Sequence, residues 1–219
     1  MAHWLKRRSV LLSNDVAIID YNMGNLNSVK KAFQKVGANV VITNDRKTIQ
    51  GSSKIVLPGV GSFKDGMKNL QDLGLISLLN TEVIKNKKPF LGICLGMQLI
   101  GIEGYEIEKT DGLKWIEAET IKFNFSDLDK KLKVPHVGWN NVSVVDDNPL
   151  YKGIENDSDF YFVHSYHLKI NEKNVIKTIT DHGISFVSSV QKENICACQF
   201  HPEKSQVDGL KFLINFLKM

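Results

Sequence analysis

Four short apolar segments set the widest limit on how this chain folds. Val16–Asp20, Asn39–Thr43, Lys54–Leu57 and Pro89–Cys94 are nearly continuous in apolar residues rather than alternating. Runs of that kind belong to strands covered on both faces. Helical patterns lie between them. Asn25 stands at an N-cap position, Leu26, Val29, Phe33 and Val36 follow at helical spacing, and Gly37 closes the segment. Phe63–Ile84 reads as another helix, weakened at Gly66 and Gly74. Strands separated by helices pair in parallel, because each crossover returns the chain in the same direction.

After Gly112 the texture changes. Ala118–Phe125, Asn141–Val145, Phe160–Leu168, Val175–Thr180, Ser185–Val190 and Ile195–Phe200 are strand-like and separated by short breaks. They read as hairpins added to the parallel core. Ser205 is placed to cap a final helix carrying Leu210, Leu213, Ile214 and Leu217. The expected fold class is α/β, a three-layer domain over residues 15–219. Its sheet is mixed but mostly parallel, with helices on both faces. A chain of 219 residues can bury a full core as one domain.

Residues Met1–Asn14 stand apart. Lys6, Arg7 and Arg8 precede only Val10, Leu11 and Leu12, too short an apolar stretch for a secretory segment. They read as a poorly ordered extension or an alternative start. No apolar run is long enough to span a bilayer. A net charge of +4 without a basic block argues against a nucleic-acid partner. Three cysteines, an odd number, argue against a disulfide framework and for the reducing cytoplasm. Cys196 and Cys198 alternate within a strand and face one side. No second ligand pair completes a metal site, so they read as core residues.

The segment Pro89-Phe-Leu-Gly-Ile-Cys94-Leu-Gly-Met-Gln98 breaks from a strand into a helical pattern at Gly92-Ile-Cys94-Leu-Gly96. That is the spacing of a nucleophile elbow, with cysteine in the serine position. Glycine two residues to each side leaves room for a strained turn that exposes the thiol. The free N–H groups and dipole of the following helix favour thiolate. The same residues also fit a small buried core cysteine. A cysteine nucleophile needs a base and a group to orient it. Gln199-Phe-His201-Pro-Glu203 supplies both, since in extended chain His201 and Glu203 point to one side. His136, His164 and His167 compete as bases, but only His201 has a carboxylate two residues away at a strand end. Leu57-Pro58-Gly59-Val60-Gly61 offers backbone N–H groups for a developing oxyanion, or an ordinary turn. All three pieces fall at carboxyl ends of strands, where open α/β sheets place their sites.

Five segments occur in order: Pro58-Gly-Val-Gly61, Gly92-Ile-Cys-Leu-Gly-Met-Gln98, Pro135-His-Val-Gly-Trp-Asn140, Tyr161-Phe-Val-His-Ser-Tyr166 and Gln199-Phe-His-Pro-Glu-Lys-Ser205. The set resembles the class I (triad) glutamine amidotransferases. Within them it is similar to the glutaminase subunits of imidazole glycerol phosphate synthases. The match runs from Val16 to the C-terminus and includes Asp20-Tyr-Asn-Met-Gly-Asn-Leu26.

The resemblance implies hydrolysis of L-glutamine to glutamate and ammonia through a cysteine thioester, with neither cofactor nor metal. It makes Cys94 the nucleophile, His201 the base and Glu203 its orienting group. Backbone N–H groups at Val60 or Gly61 and at Leu95 would hold the oxyanion. Gln98, Ser165 and Tyr166 match positions around the substrate, and Trp139 and Lys204 match positions near a partner. That partner would be a (β/α)8 cyclase subunit in a heterodimer, receiving ammonia for histidine biosynthesis. Two departures bear on this. Asn22 stands where the family has glycine, and asparagine tolerates the left-handed conformation. Gly112-Leu-Lys-Trp-Ile-Glu-Ala118 and the preceding Ile102–Asp111 depart from the histidine-pathway pattern. They leave open a second acceptor, a sugar-modifying synthetase of surface-polysaccharide biosynthesis.

Overall fold

A computed structural model describes residues 15–126 and 132–219; the segment read as an N-terminal extension lies outside them. The first half runs β1 (Asp15–Ile19), α1 (Leu26–Lys35), β2 (Asn39–Thr43), α2 (Arg46–Gly51), β3 (Lys54–Gly59), α3 (Phe63–Asp72), α4 (Leu75–Leu79), a π-helical turn (Asn80–Lys85), β4 (Phe90–Cys94) and α5 (Leu95–Leu99). The second half runs β5 (Glu103–Glu106), β6 (Glu108–Asp111), β7 (Ala118–Lys122), β8 (His136–Val144), β9 (Ser158–His164), β10 (Tyr166–Ile170), β11 (Ile176–Asp181), β12 (Ser185–Lys192), β13 (Ile195–Cys198) and α6 (Gln206–Leu217).

Nine strands form one mixed sheet in the order β2-β1-β3-β4-β13-β12-β11-β8-β9. β2, β1, β3, β4 and β13 are parallel, and the remaining strands join antiparallel. A second sheet, β10-β7-β5-β6, covers part of one face. Alternation along β1 shows how both faces are buried. Val16 and Ile18 pack with Val29, Phe33, Phe212 and Phe216 of α1 and α6. Ala17 and Ile19 pack on the opposite side with Met67, Leu70 and Leu78 of α3 and α4. Phe33 meets Phe216 edge-on at 6.2 Å, which ties α1 to α6 beneath the sheet. Burying each such ring contributes roughly 2–3 kcal/mol.

The expected α/β three-layer architecture is the one observed, with several boundary differences. β3 continues through Pro58-Gly59, because Gly59 pairs with Cys94 of β4. The segment read as one helix over Phe63–Ile84 breaks at Gly74, whose φ of +64° ends α3 and starts α4. The strand read over Phe160–Leu168 divides at Ser165, where the chain leaves the large sheet for the small one. β8 begins at His136, well before the expected Asn141. α2 and the β5–β6 hairpin were not expected at all. Asn25 caps α1 as read, its side chain accepting from the Ser28 N–H at 3.4 Å. Asn22 takes the left-handed conformation, φ +62°.

Candidate active site

Three neighbouring parallel strands place the chemistry on one edge. Gly59 is the register partner of Cys94, and Ile93 is the partner of Cys198. The chain leaving β3, β4 and β13 therefore brings Val60, Leu95 and His201 to the same carboxyl end.

Cys94 sits at the elbow with φ +55° and ψ −106°, a conformation non-glycine residues avoid. The flanking glycines are required by space. A Cβ on Gly92 would lie 2.6 Å from the Gly96 carbonyl oxygen, and one on Gly96 would lie 1.8 Å from the Leu57 oxygen. The helix that follows is only Leu95–Leu99. Its dipole is correspondingly small. The thiol points toward the Val163 carbonyl at 3.9 Å and accepts from the Gln199 Nε2 at 3.7 Å.

His201 is 3% exposed and its Nδ1 lies 2.8 Å from Glu203 Oε1. The segment is not extended as expected: Pro202 starts a single 3₁₀ turn, and the turn rather than strand alternation brings the Glu203 carboxylate back to the ring. Ser205 was expected to cap α6, but its hydroxyl is used elsewhere. It donates to the His201 carbonyl at 2.6 Å and accepts from the Tyr161 N–H at 3.0 Å, fastening the histidine turn to β9. Burial pushes His201 down, but the Cys94 sulfur and the Glu203 carboxylate outweigh it and lift its pKa to about 10. Its Nε2 is buried and makes no geometrically complete hydrogen bond. The sulfur is nonetheless near enough to be the largest influence raising the imidazole, as is common before substrate tightens a site.

A cavity of about 240 Å³ opens at this edge, lined by Val60, Gly61, Cys94, Leu95, Gln98, Glu106, Val163, His164, Ser165 and Tyr166. A larger groove of about 760 Å³ runs beside α3 and β6, but it is lined by no cysteine and its lysines face carboxylates. Every residue expected around the substrate is in the smaller cavity. Gly61 has φ +113°, and Val60 beside it is 45% exposed. Gln98 donates from Nε2 to the Tyr166 carbonyl at 3.0 Å and to Gln199 Oε1 at 3.1 Å. Burial and the charge of Glu106 both raise the Tyr166 hydroxyl pKa.

The competing histidines serve differently. His164 Nδ1 bonds to the Tyr166 carbonyl at 2.9 Å and its Nε2 to His136 Nδ1 at 3.0 Å. Both are buried and structural in kind. Trp139 and Lys204 do not line the cavity, and both approach the Tyr161 ring. The indole is 6.0 Å from the phenol ring, and Lys204 Nζ is 5.4 Å above it.

Glu106 is a site residue that sequence reasoning missed. Twelve residues beyond Cys94, it returns to the cavity through the β5–β6 hairpin, where one oxygen accepts from the Phe63 N–H at 2.7 Å. Nothing in its sequence surroundings marks it. Cys196 and Cys198 are fully buried on one side of β13, as expected of core residues, and burial raises both thiols. No cluster of His, Cys, Asp and Glu among the described residues is arranged to hold a metal. No helix among them is long and apolar enough to cross a membrane.

The sequence profile of the family described as "Glutamine amidotransferase class-I" matches residues 17–219. The chain is 51% identical over 204 residues to imidazole glycerol phosphate synthase subunit HisH 1 of Campylobacter jejuni (strain RM1221), covering 93% of this chain and 100% of that protein. It is 48% identical over 208 residues to subunit HisH 1 of Methanococcus maripaludis, covering 93% and 99%. Among solved structures, a crystal structure of a glutamine amidotransferase superposes with a TM-score of 0.72 at 16% identity, covering 93% of this chain and 99% of that one.

Proposed function

We propose that this chain, which belongs to the class-I glutamine amidotransferase family, is the glutaminase subunit of an imidazole glycerol phosphate synthase. The observation that carries the chemistry is Cys94, strained at the elbow beside the cavity, next to a buried His201 held by Glu203 at 2.8 Å.

With its pKa raised by the Cys94 sulfur and the Glu203 carboxylate, His201 holds the proton that Cys94 gives up on attack. Cys94 attacks the side-chain amide carbon of glutamine, and the carbonyl π electrons move to oxygen. N–H groups of Val60 or Gly61 and of Leu95 receive that oxyanion. As the tetrahedral adduct collapses, the C–N bond breaks and His201 passes its proton to the departing ammonia. The thioester remains. Water then attacks it while His201 takes the water's proton, and glutamate leaves as the thiolate re-forms. Glu203 keeps the imidazole in the productive orientation throughout.

Recognition of a free amino acid needs a partner for its ammonium group, and Glu106 supplies a carboxylate in the cavity. Gln98 has its Nε2 engaged within the protein, leaving Oε1 to accept from the substrate amide. Ser165 and Tyr166 contribute the cavity's far wall.

Ammonia released into water would be protonated and diluted, so the subunit acts with a partner that takes it directly. The exposed Trp139 and Lys204, gathered around the half-buried Tyr161, form the aromatic and basic surface beside the site on which a (β/α)8 cyclase subunit docks. The two relatives near 50% identity, both synthase subunits by name, support the cyclase over a sugar-modifying synthetase. Three free thiols fit a reducing compartment such as the cytoplasm.

The test is to mix the purified chain with a cyclase subunit and its nucleotide acceptor and to measure glutamate release. Strong stimulation by that pair is expected. Stimulation by a sugar-modifying synthetase alone would overturn the partner assignment, and glutamine hydrolysis by Cys94→Ala would overturn the mechanism.

A further inference from the structure

We propose that Gln199 is a catalytic residue of the glutaminase reaction, its side-chain Nε2–H donating to the Cys94 sulfur and holding the attacking thiolate. This rests on the reading of Cys94 as nucleophile.

Gln199 is fully buried, directly after β13 and two residues before His201. Its Nε2 lies 3.7 Å from Cys94 Sγ, and its Oε1 lies 3.1 Å from Gln98 Nε2. A carboxamide has nearly the same shape either way round, so its direction must follow from its partners. Here they leave one choice. A peptide carbonyl can only accept, so the end of Gln98 that lies 3.0 Å from the Tyr166 oxygen is its NH₂. The same NH₂ group reaches Gln199, whose facing atom must then be oxygen. The remaining end of Gln199, its NH₂, is the one turned to the sulfur.

The consequence concerns charge. Cys94 as a residue is only 5% exposed, so water reaches its sulfur poorly, and an N–H donor replaces part of the missing hydration of a charged sulfur. In the thiol form the sulfur offers its proton toward the Val163 carbonyl. Once that proton sits on His201 Nε2, the carbonyl no longer helps and the Gln199 N–H remains. As sulfur bonds to the substrate carbon, its charge passes to the oxyanion and the N–H···S contact weakens. It strengthens again when the thiolate leaves the thioester.

Two near-isosteric variants separate this from a role in holding Gln98. Gln199→Met removes the donor and the acceptor. Gln199→Glu keeps an acceptor for Gln98 but sets a carboxylate against the sulfur. The measurement is the pH dependence of Cys94 alkylation by iodoacetamide in the full-length chain, followed by peptide mass spectrometry, together with glutamine kcat and KM. Wild-type chain should be alkylated at Cys94; failure there would count against the nucleophile itself. Gln199→Met should move the midpoint upward by about one pH unit and lower kcat about tenfold, with KM within about threefold. Gln199→Glu should be impaired at least as much. A Glu variant close to wild type would show that Gln199 merely supports Gln98, and would overturn the proposal. So would an unchanged midpoint in the Met variant, which alone decides the matter if the Glu variant does not fold.

Discussion

His136 Nδ1 lies 3.0 Å from His164 Nε2, and the direction of that hydrogen bond is forced by what lies beyond it. His164 Nδ1 is 2.9 Å from the Tyr166 carbonyl oxygen, which can only accept, so Nδ1 carries the proton. In a neutral ring Nε2 then accepts, and His136 must donate from Nδ1. The Nε2 of His136 faces the Asn140 amide nitrogen at 3.2 Å, which can only donate. Two buried imidazoles are thus fixed as neutral rings, and they buttress the carbonyl that orients Gln98 and, through it, Gln199.

That arrangement makes stability depend on acid. Burial lowers His136 to about 4, with the charge of His182 adding to it, and burial lowers His164 to about 3. Both folded values lie below the unfolded 6.5, so the unfolded chain binds protons first as pH falls. Stability contributed by the neutral rings is complete above about 6.5 and declines toward pH 4, by roughly 3 kcal/mol or more for the pair. Urea midpoints at pH 7.5 and 4.5 should show the fall, and His136→Gln should flatten it.

His201 behaves with the opposite sign. Its folded value, raised to about 10, contributes stability that is complete below 6.5 and lost as pH rises through 10. Cys94 gives the largest uplift, so Cys94→Ala should move the imidazole titration measured by NMR well below that of wild type. An unmoved titration would show that sulfur and ring do not interact.

Backbone crowding at the elbow makes Gly96 irreplaceable. Gly96→Ala should cost more than about 3 kcal/mol in chemical denaturation, because the Leu57 carbonyl cannot move without breaking the β3–β4 ladder. Gly51→Ala, where nothing lies within 4 Å, should fall within about 0.5 kcal/mol of wild type or be slightly stabilising.

Glu106→Gln should separate binding from chemistry. Losing the carboxylate should raise KM for glutamine by about tenfold to a hundredfold while kcat changes little, in steady-state assays with the partner present. A fall in kcat at unchanged KM would assign Glu106 to another task.

Removing charge from the orienting group should be milder than removing the nucleophile. Glu203→Gln should retain measurable glutaminase turnover where Cys94→Ala retains none. Equal losses would contradict the separate roles.

Much of this was legible in the chain, for a local reason. The elbow glycines, the nearness in sequence of His201 and Glu203 (though they meet across a 3₁₀ turn, not along extended chain), and the apolar continuity of β1 to β4 act through near neighbours. Their consequences follow from backbone geometry wherever the segment sits. The division at Ser165 and the start of β8 at His136 were not legible, because sheet membership depends on which strands lie alongside. Glu106 was hidden for the same reason: only the β5–β6 hairpin carries it back to the cavity.

By itself the sequence determined the α/β class, singled out Cys94, His201 and Glu203 as candidates, and gave the carboxyl edge on which they meet. The tertiary structure alone decided what surrounds the sulfur. Gln98 comes from α5, Gln199 from the chain just after β13, His164 from β9 and His136 and Asn140 from β8, and each bond's direction is set by the next partner along. A hydrogen-bond chain of that kind has no spacing in the sequence, since its order is created only when the two sheets pack together.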